Sequence, residues 1–283
     1  MKNLDALNEH FFEKGWILID LENPETVFKA RDGMLGFLKE TFFSSLERLE
    51  DLHEHIPDDE TYSKMHLALT DFYRGQGYAK DIITSDVDFF RQFVSCDLSI
   101  QAKPYLRVAR PGAAQDNIGL HRDTFYGASP YELSVFVPFT DLDEGSALRM
   151  LSGSHVEPDS KYAFHEVENP SVERGSPRHQ AGIPYAPKVI EEEAAKTMAV
   201  PMKTGQVFIF GLSTVHGQKI NRGKTTRVSS DIRVVNSLAP FLVKRAGDDD
   251  FYERVCQSPV SQQAARYLEV NQDREDDSGE SGY

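Results

Sequence analysis

The sequence predicts a mainly β, α+β fold: a double-stranded β-helix, jelly-roll and cupin-like, with an N-terminal helical buttress. Two observations predict it. Up to about residue 100, apolar residues recur at helical spacing. From about residue 104 the period changes to two, in short runs parted by glycine turns. The 283 residues, 40% of them hydrophobic, suffice for one large domain with a packed core.

Leu4, Leu7, Phe11 and Phe12 keep helical spacing, and Trp16 to Ile19 form a short strand-like apolar run. Asn23-Pro24-Glu25 has the form of a helix start, with a capping side chain, proline at the first turn and an early acid. Its helix is expected to bury Val27, Phe28, Leu35 and Leu38. Ser85-Asp86 is a second start, followed by Phe89, Phe90, Phe93 and Val94. Tyr105 to Val108 reads as a strand, and Tyr131, Leu133, Val135, Val137 and Phe139 alternate with period two. A buried run from Val207 to Phe210 follows the turn pair Thr204-Gly205, and residues 227–235 are β-branched and alternating. Turns fall at Asp143-Glu144-Gly145, Ser152-Gly153-Ser154 and Arg222-Gly223. The polar stretch 157–203 holds six prolines and is expected to be a lid or binding loop inserted into the sheet fold. Residues 271–283 carry five acids and little to bury, which predicts a disordered acidic tail. A single domain, 1–270, is therefore expected, with a helical part over about 1–100 and a jelly-roll core over about 104–240.

A formal charge of −14 leaves no general basic field to hold a phosphate backbone, which argues against nucleic acid. No stretch approaches the roughly 20 apolar residues of a membrane span, and no apolar run follows the basic start as in a signal peptide. A cytoplasmic protein with a small-molecule substrate and no obligate protein partner is expected. Cys96 and Cys256 cannot make a disulfide framework, and buried reduced thiols are expected.

Three histidine settings compete for chemistry: His53-Glu54-His55, His121-Arg122-Asp123 and His155-Val156-Glu157. The first lies in an acidic stretch beside Pro57 and reads as solvated. On an extended backbone, positions i and i+2 share a side, so His121 and Asp123 can present a nitrogen and an oxygen to one point. His216 follows the apolar run 207–210. Two histidines and a carboxylate form the facial triad of non-haem Fe(II) oxygenases, which leaves open positions for cosubstrate and dioxygen. A structural zinc site would call for a fourth ligand. Arg227 stands 11 residues after His216, with Ser229 on the same strand face. Guanidinium and hydroxyl together can hold the far carboxylate of 2-oxoglutarate.

The ordered set of motifs resembles the phytanoyl-CoA dioxygenase-like branch of the Fe(II)/2-oxoglutarate-dependent oxygenases. It comprises Leu120-His121-Arg122-Asp123, Val137-Pro138-Phe139 through Asp143-Glu144-Gly145-Ser146-Ala147-Leu148, Leu151-Ser152-Gly153-Ser154-His155, and His216-Gly217 with Asn221 and Arg227. The resemblance implies that His121, Asp123 and His216 are catalytic iron ligands and that Arg227 and Ser229 anchor 2-oxoglutarate. It implies a dioxygenase that consumes Fe(II)-bound 2-oxoglutarate and O2, releases succinate and carbon dioxide, and oxidises an unactivated C–H bond. His155 falls outside the ligand positions, and the presence of Asp123 argues against halogenation.

Hydroxylation of a small polar metabolite is the expected reaction, with a sugar or aminocyclitol of a biosynthetic pathway as the leading substrate class. Arg107, Tyr126 and Arg233 are the candidate substrate residues. Ring closure, desaturation or epimerisation would use the same site. The alternatives are an amino acid or acyl thioester as substrate, or a non-redox cupin-type metalloenzyme. A coenzyme A substrate would need Arg107, Arg149, Arg174 and Arg178 gathered at one rim.

Overall fold

Asn3 caps the first helix, α1 (Leu4–Lys14), by accepting the N–H of Ala6 at 3.3 Å, and Gly15, at φ +82°, ends it. This computed structural model describes residues 3–167, 172–180, 187–191, 196–240 and 251–272. The acidic tail expected beyond Asn271 lies almost wholly outside them. Strand β1 (Trp16–Asp20) follows, then helices α2 (Glu25–Thr41), α3 (Leu52–His55), α4 (Asp59–Gly75), α5 (Tyr78–Ser85) and α6 (Val87–Phe93). Two expected caps do not form. Pro24 occupies the N-cap of α2 without a side-chain bond, and Asp86, ahead of α6, turns its carboxylate to the N–H of Glu22 at 3.3 Å. Helix α2 buries Val27, Ala30, Met34 and Leu38, while Phe28 and Leu35 are half-buried and Phe12 of α1 points to solvent.

The remaining elements are β2 (Leu98–Gln101), β3 (Tyr105–Ala109), β4 (Glu132–Pro138), β5 (Arg149–Met150), β6 (Phe164–Glu166), α7 (Pro177–Gln180), β7 (Lys188–Ile190), β8 (Met198–Ala199), β9 (Gln206–Gly211), β10 (His216–Gly217), β11 (Arg227–Asn236), β12 (Tyr252–Cys256) and α8 (Pro259–Gln272). The strand pairings among the described residues are antiparallel. The larger sheet runs β1-β9-β4-β11-β2-β12 with β3 also on β11, and the smaller runs β10-β5-β8.

Strand alternation sorts the large sheet into two buried faces. Val135 and Val137 of β4, Val207 and Ile209 of β9, and Val228, Ile232 and Val234 of β11 pack on the helices. Phe136, Phe208 and Phe210 point the other way, onto Leu148 and Met150 beside the small sheet and Met202. The expected jelly roll with a helical buttress is therefore what forms. The inward face of β11 is the exception to apolar burial, since it carries Arg227, Ser229, Asp231 and Arg233. A one-residue slip would bring those four against the helices and turn Val228, Ile232 and Val234 inward. At roughly 2 kcal/mol for each aliphatic side chain so moved, the helical face fixes the register.

The insertion 157–203 is more structured than a loop. Strand β6 pairs with β7 as a hairpin, and β8 completes the small sheet. The cysteines are not buried: Cys96 is exposed and Cys256 half-buried, its thiol donating to the Cys96 carbonyl at 3.2 Å. No helix among the described residues is long and apolar enough to cross a membrane.

Candidate metal centre

Residues 120–122 run extended beside β10, and Asp123 opens a short 3-10 turn, Asp123–Tyr126. His121 N–H donates to the His216 carbonyl at 2.8 Å, and His216 N–H returns the bond at 2.9 Å. This reciprocal pair sets the two imidazoles side by side, ring centroids 4.5 Å apart. The approach requires glycine after His216, because a Cβ on Gly217 would stand 2.6 Å from the Gly119 carbonyl oxygen. Asp123 projects on the same side as His121, and Arg122 on the other. Arg122 is only 1% exposed. Its guanidinium meets Asp159 and the carbonyls of Ser154 and Glu157 and lies over the Tyr162 ring, bracing the ligand strand from behind.

Each histidine is oriented through Nδ1. That of His121 lies 2.8 Å from the Gly119 carbonyl and that of His216 lies 2.9 Å from the Thr214 carbonyl. A carbonyl only accepts, so both Nδ1 atoms carry protons and both Nε2 lone pairs remain for a metal. The two Nε2 atoms stand 3.5 Å from Asp123 Oδ1 and Oδ2 respectively, and the three ligand atoms lie within 4.8 Å of one another. Burial pushes the His216 imidazole down to about 4, which keeps it in the metal-binding neutral form. Burial also raises the Asp123 carboxyl, but the Arg233 guanidinium and the two imidazoles outweigh it and hold the group well below its ordinary range. Two imidazole nitrogens and one carboxylate oxygen fit Fe(II) with a face of its octahedron left open. His155 takes no part, since its Nε2 lies 3.1 Å from the Phe12 carbonyl. His53, expected to be solvated, is half-buried with Nδ1 3.0 Å from Thr226 Oγ1.

One cavity is lined by His121, Asp123, His216, Arg227, Arg107 and Arg233, among others. Arg227 is 3% exposed, and its Nη1 donates to the Ser146 carbonyl at 3.2 Å. That carbonyl is fixed by Asp143, whose Oδ1 accepts the N–H groups of Gly145 and Ser146 and the Ser146 hydroxyl, each at 2.9 Å. The Asp143 to Leu148 motif is thus the seat of Arg227. Among the described residues, Arg227 Nε and the buried Ser229 hydroxyl have no partner. Burial lowers the guanidinium to about 10, so it is still charged at neutral pH and lacks a carboxylate at contact distance. Such a buried cation costs several kcal/mol until a carboxylate joins it, which is the chemistry of a site for a dicarboxylate.

Arg107 and Arg233 both reach the cavity, each with a carboxylate of its own. Arg107 Nε donates to Asp231 Oδ2 at 2.9 Å, and Arg233 Nη2 stands 2.8 Å from Asp123 Oδ2, an ion pair off the line of a hydrogen bond. Tyr126, the third candidate substrate residue, spends its hydroxyl elsewhere: it accepts the Lys188 N–H of the hairpin at 2.6 Å, while its ring edge meets His121. Burial pushes that phenol up to about 12. Sequence reasoning missed Ser134, Phe136 and Gln218 on the cavity wall, whereas Asp231 shares the strand face of Arg227, Ser229 and Arg233. Alternation sets the two β4 residues apart from Val135 and Val137, but both sets are buried and the pattern alone does not say which meets the cavity.

The family model for phytanoyl-CoA dioxygenase matches residues 28–229, a stretch that includes the three ligands, the Asp143 turn, Arg227 and Ser229. The chain belongs to the phytanoyl-CoA dioxygenase family. This family member is accordingly an iron- and 2-oxoglutarate-dependent oxygenase. Among solved structures it is similar to the non-haem monooxygenase ThoJ in its nickel complex, at 17% identity and a TM-score of 0.53, over 89% of this chain and 84% of that one. The apo form of ThoJ gives 18% and 0.54 over the same shares. At that identity the likeness bears on the fold. No protein of curated function matches this oxygenase.

Proposed function

We propose that His121, Asp123 and His216 hold the iron, that Arg227 and Ser229 hold the distal carboxylate of 2-oxoglutarate, and that the oxygenase hydroxylates an unactivated C–H bond of a small polar metabolite. The observation that carries this reading is one cavity joining the His121–Asp123–His216 cluster to a buried guanidinium short of a counter-ion. When bound, iron and 2-oxoglutarate supply the oxidising power, and 2-oxoglutarate leaves as succinate and carbon dioxide. The chain's own residues do the rest. The carbonyls of Gly119 and Thr214 fix the imidazoles, Arg122 braces the strand between the ligands, and Phe136, Phe210 and Leu148 keep the cavity walls dry.

A sugar or aminocyclitol is the substrate class we favour. The cavity's two further cations, Arg107 and Arg233, are already answered by Asp231 and Asp123, which favours a hydroxyl-rich molecule over an anionic one. A coenzyme A thioester is less well served: Arg107 is turned into the cavity, and Arg149 is bound to the Thr197 carbonyl at 2.8 Å.

The test is anaerobic. Fe(II) and then 2-oxoglutarate are added to metal-free protein, and the visible charge-transfer band of the chelated keto acid is recorded. Its appearance, and its loss in His216→Ala, is expected. Iron binding without the band would overturn this reading in favour of a non-redox cupin-type metalloenzyme.

A further inference from the structure

Ser134 on β4 and Arg233 on β11 are directly opposed across the sheet, and both side chains line the cavity. Ser134 is 0% exposed and its hydroxyl has no hydrogen-bond partner among the described residues. Arg233 Nη1 is also buried without one, while Nη2 of the same guanidinium stands at Asp123. Buried donors are almost always satisfied, so two orphans on adjacent strands of one face mark a socket for an acceptor. The fork of Arg233 places that socket: one arm lies on the ligand carboxylate, so whatever meets the other arm sits beside the metal centre. Arg227 and Ser229, further up the same strand, are a separate pair.

The charges around the socket decide which acceptor fits. Arg233 Nη2 stands 2.8 Å from the Asp123 carboxylate, and Asp231, which lines the same cavity two residues along β11, is paired with Arg107. Each cation beside the socket thus already has its carboxylate. A second carboxylate or a phosphate entering here would be a buried anion with no cation left to pair with it. An uncharged oxygen needs only the N–H and O–H that are waiting.

We propose that Ser134 and Arg233 form a substrate subsite that receives an uncharged oxygen, a hydroxyl or carbonyl, which makes Ser134 a specificity-determining residue. This rests on the iron and 2-oxoglutarate reading above and narrows its substrate to a molecule that is neutral and hydroxyl-bearing where it meets the metal centre.

The anaerobic Fe(II)–2-oxoglutarate complex of the full chain supplies the test. Glycerol and myo-inositol are titrated in while the charge-transfer band is followed, with methylphosphonate as the anionic probe. The neutral polyols are expected to shift the band saturably, and methylphosphonate to leave it in place. Ser134→Ala should weaken the polyol response about tenfold, the worth of one buried hydrogen bond, and Ser134→Thr, which keeps the hydroxyl, should restore it. A polyol response equal in Ser134→Ala and the parent overturns the proposal, as does a stronger response to methylphosphonate or none to either polyol at molar concentration. Absence of the band in the parent would instead count against the iron and 2-oxoglutarate reading itself, so the two failures are told apart.

Discussion

The hydroxyl of Tyr126 accepts the backbone N–H of Lys188 at 2.6 Å, and this bond fastens the β6–β7 hairpin to the segment that carries His121 and Asp123. The seam continues on both sides. Ile190 N–H donates to the Leu120 carbonyl at 2.6 Å, Lys188 Nζ donates to the Phe125 carbonyl at 3.0 Å, and Phe125 packs on Phe164 with ring centroids 4.6 Å apart. Part of the insertion expected to act as a lid thus packs on the segment that carries His121 and Asp123.

Tyr126→Phe removes one bond of this seam and keeps the ring on His121. A net loss of about 1 kcal/mol is expected locally, a factor of roughly five in hairpin opening. Hydrogen exchange read at the Lys188 and Val189 amides should speed up by that factor. Unchanged exchange would mean that the packing of Phe125 on Phe164 holds the hairpin by itself.

Arg227→Ala is expected to raise the 2-oxoglutarate concentration for half-saturation of the anaerobic band by about a hundredfold, since two charge-assisted bonds are worth about 3 kcal/mol together. Arg227→Lys keeps the charge but loses the fork, and should fall near tenfold. Equal affinities in the two variants would argue that the fork, and not the charge alone, holds the carboxylate.

The ligands and Arg227 were legible because their residue types are chemically scarce and occur in a fixed order along the chain. Ser134 was not. Both faces of β4 are buried, so alternation divides Leu133, Val135 and Val137 from Ser134 and Phe136 without saying which set meets the cavity. Strand β2 is four buried residues with no alternation, and β12 is half-exposed throughout most of its length; only pairing with neighbours makes them strands. The two-residue strands β5, β8 and β10 are set wholly by tertiary context. Asn23 failed as a cap because Pro24 took the N-cap position itself.

The metal-free protein should lose stability as pH falls from about 6.5 to about 4. Burial holds folded His216 at about 4, whereas an unfolded histidine titrates near 6.5. Between those values the unfolded chain binds a proton that the folded chain refuses, so acid favours unfolding there. The shift corresponds to about 3 kcal/mol across the window. Urea midpoints at pH 7.5, 5.5 and 4.5 measure it, and His216→Asn should flatten the decline. Asp123, held lower still, titrates beneath this window and does not confuse it.

Arg233 and Asp123 form a buried pair whose partner changes with the metal, and this separates their roles. In the metal-free protein each charge relies on the other across 2.8 Å. Removing one member alone, by Asp123→Ala or Arg233→Met, strands a buried charge and should cost about 3 to 5 kcal/mol. The double variant, with neither charge, should regain much of that stability yet bind iron no better than Asp123→Ala. Iron changes the sum for Arg233→Met alone, because a cation held by Asp123 takes over the guanidinium's electrostatic part. Thermal midpoints with and without Fe(II) should therefore show Arg233→Met as the more harmful substitution in the metal-free protein. An equal penalty in both states would mean that the Arg233 side chain matters for its packing, and that Asp123 does not depend on its charge.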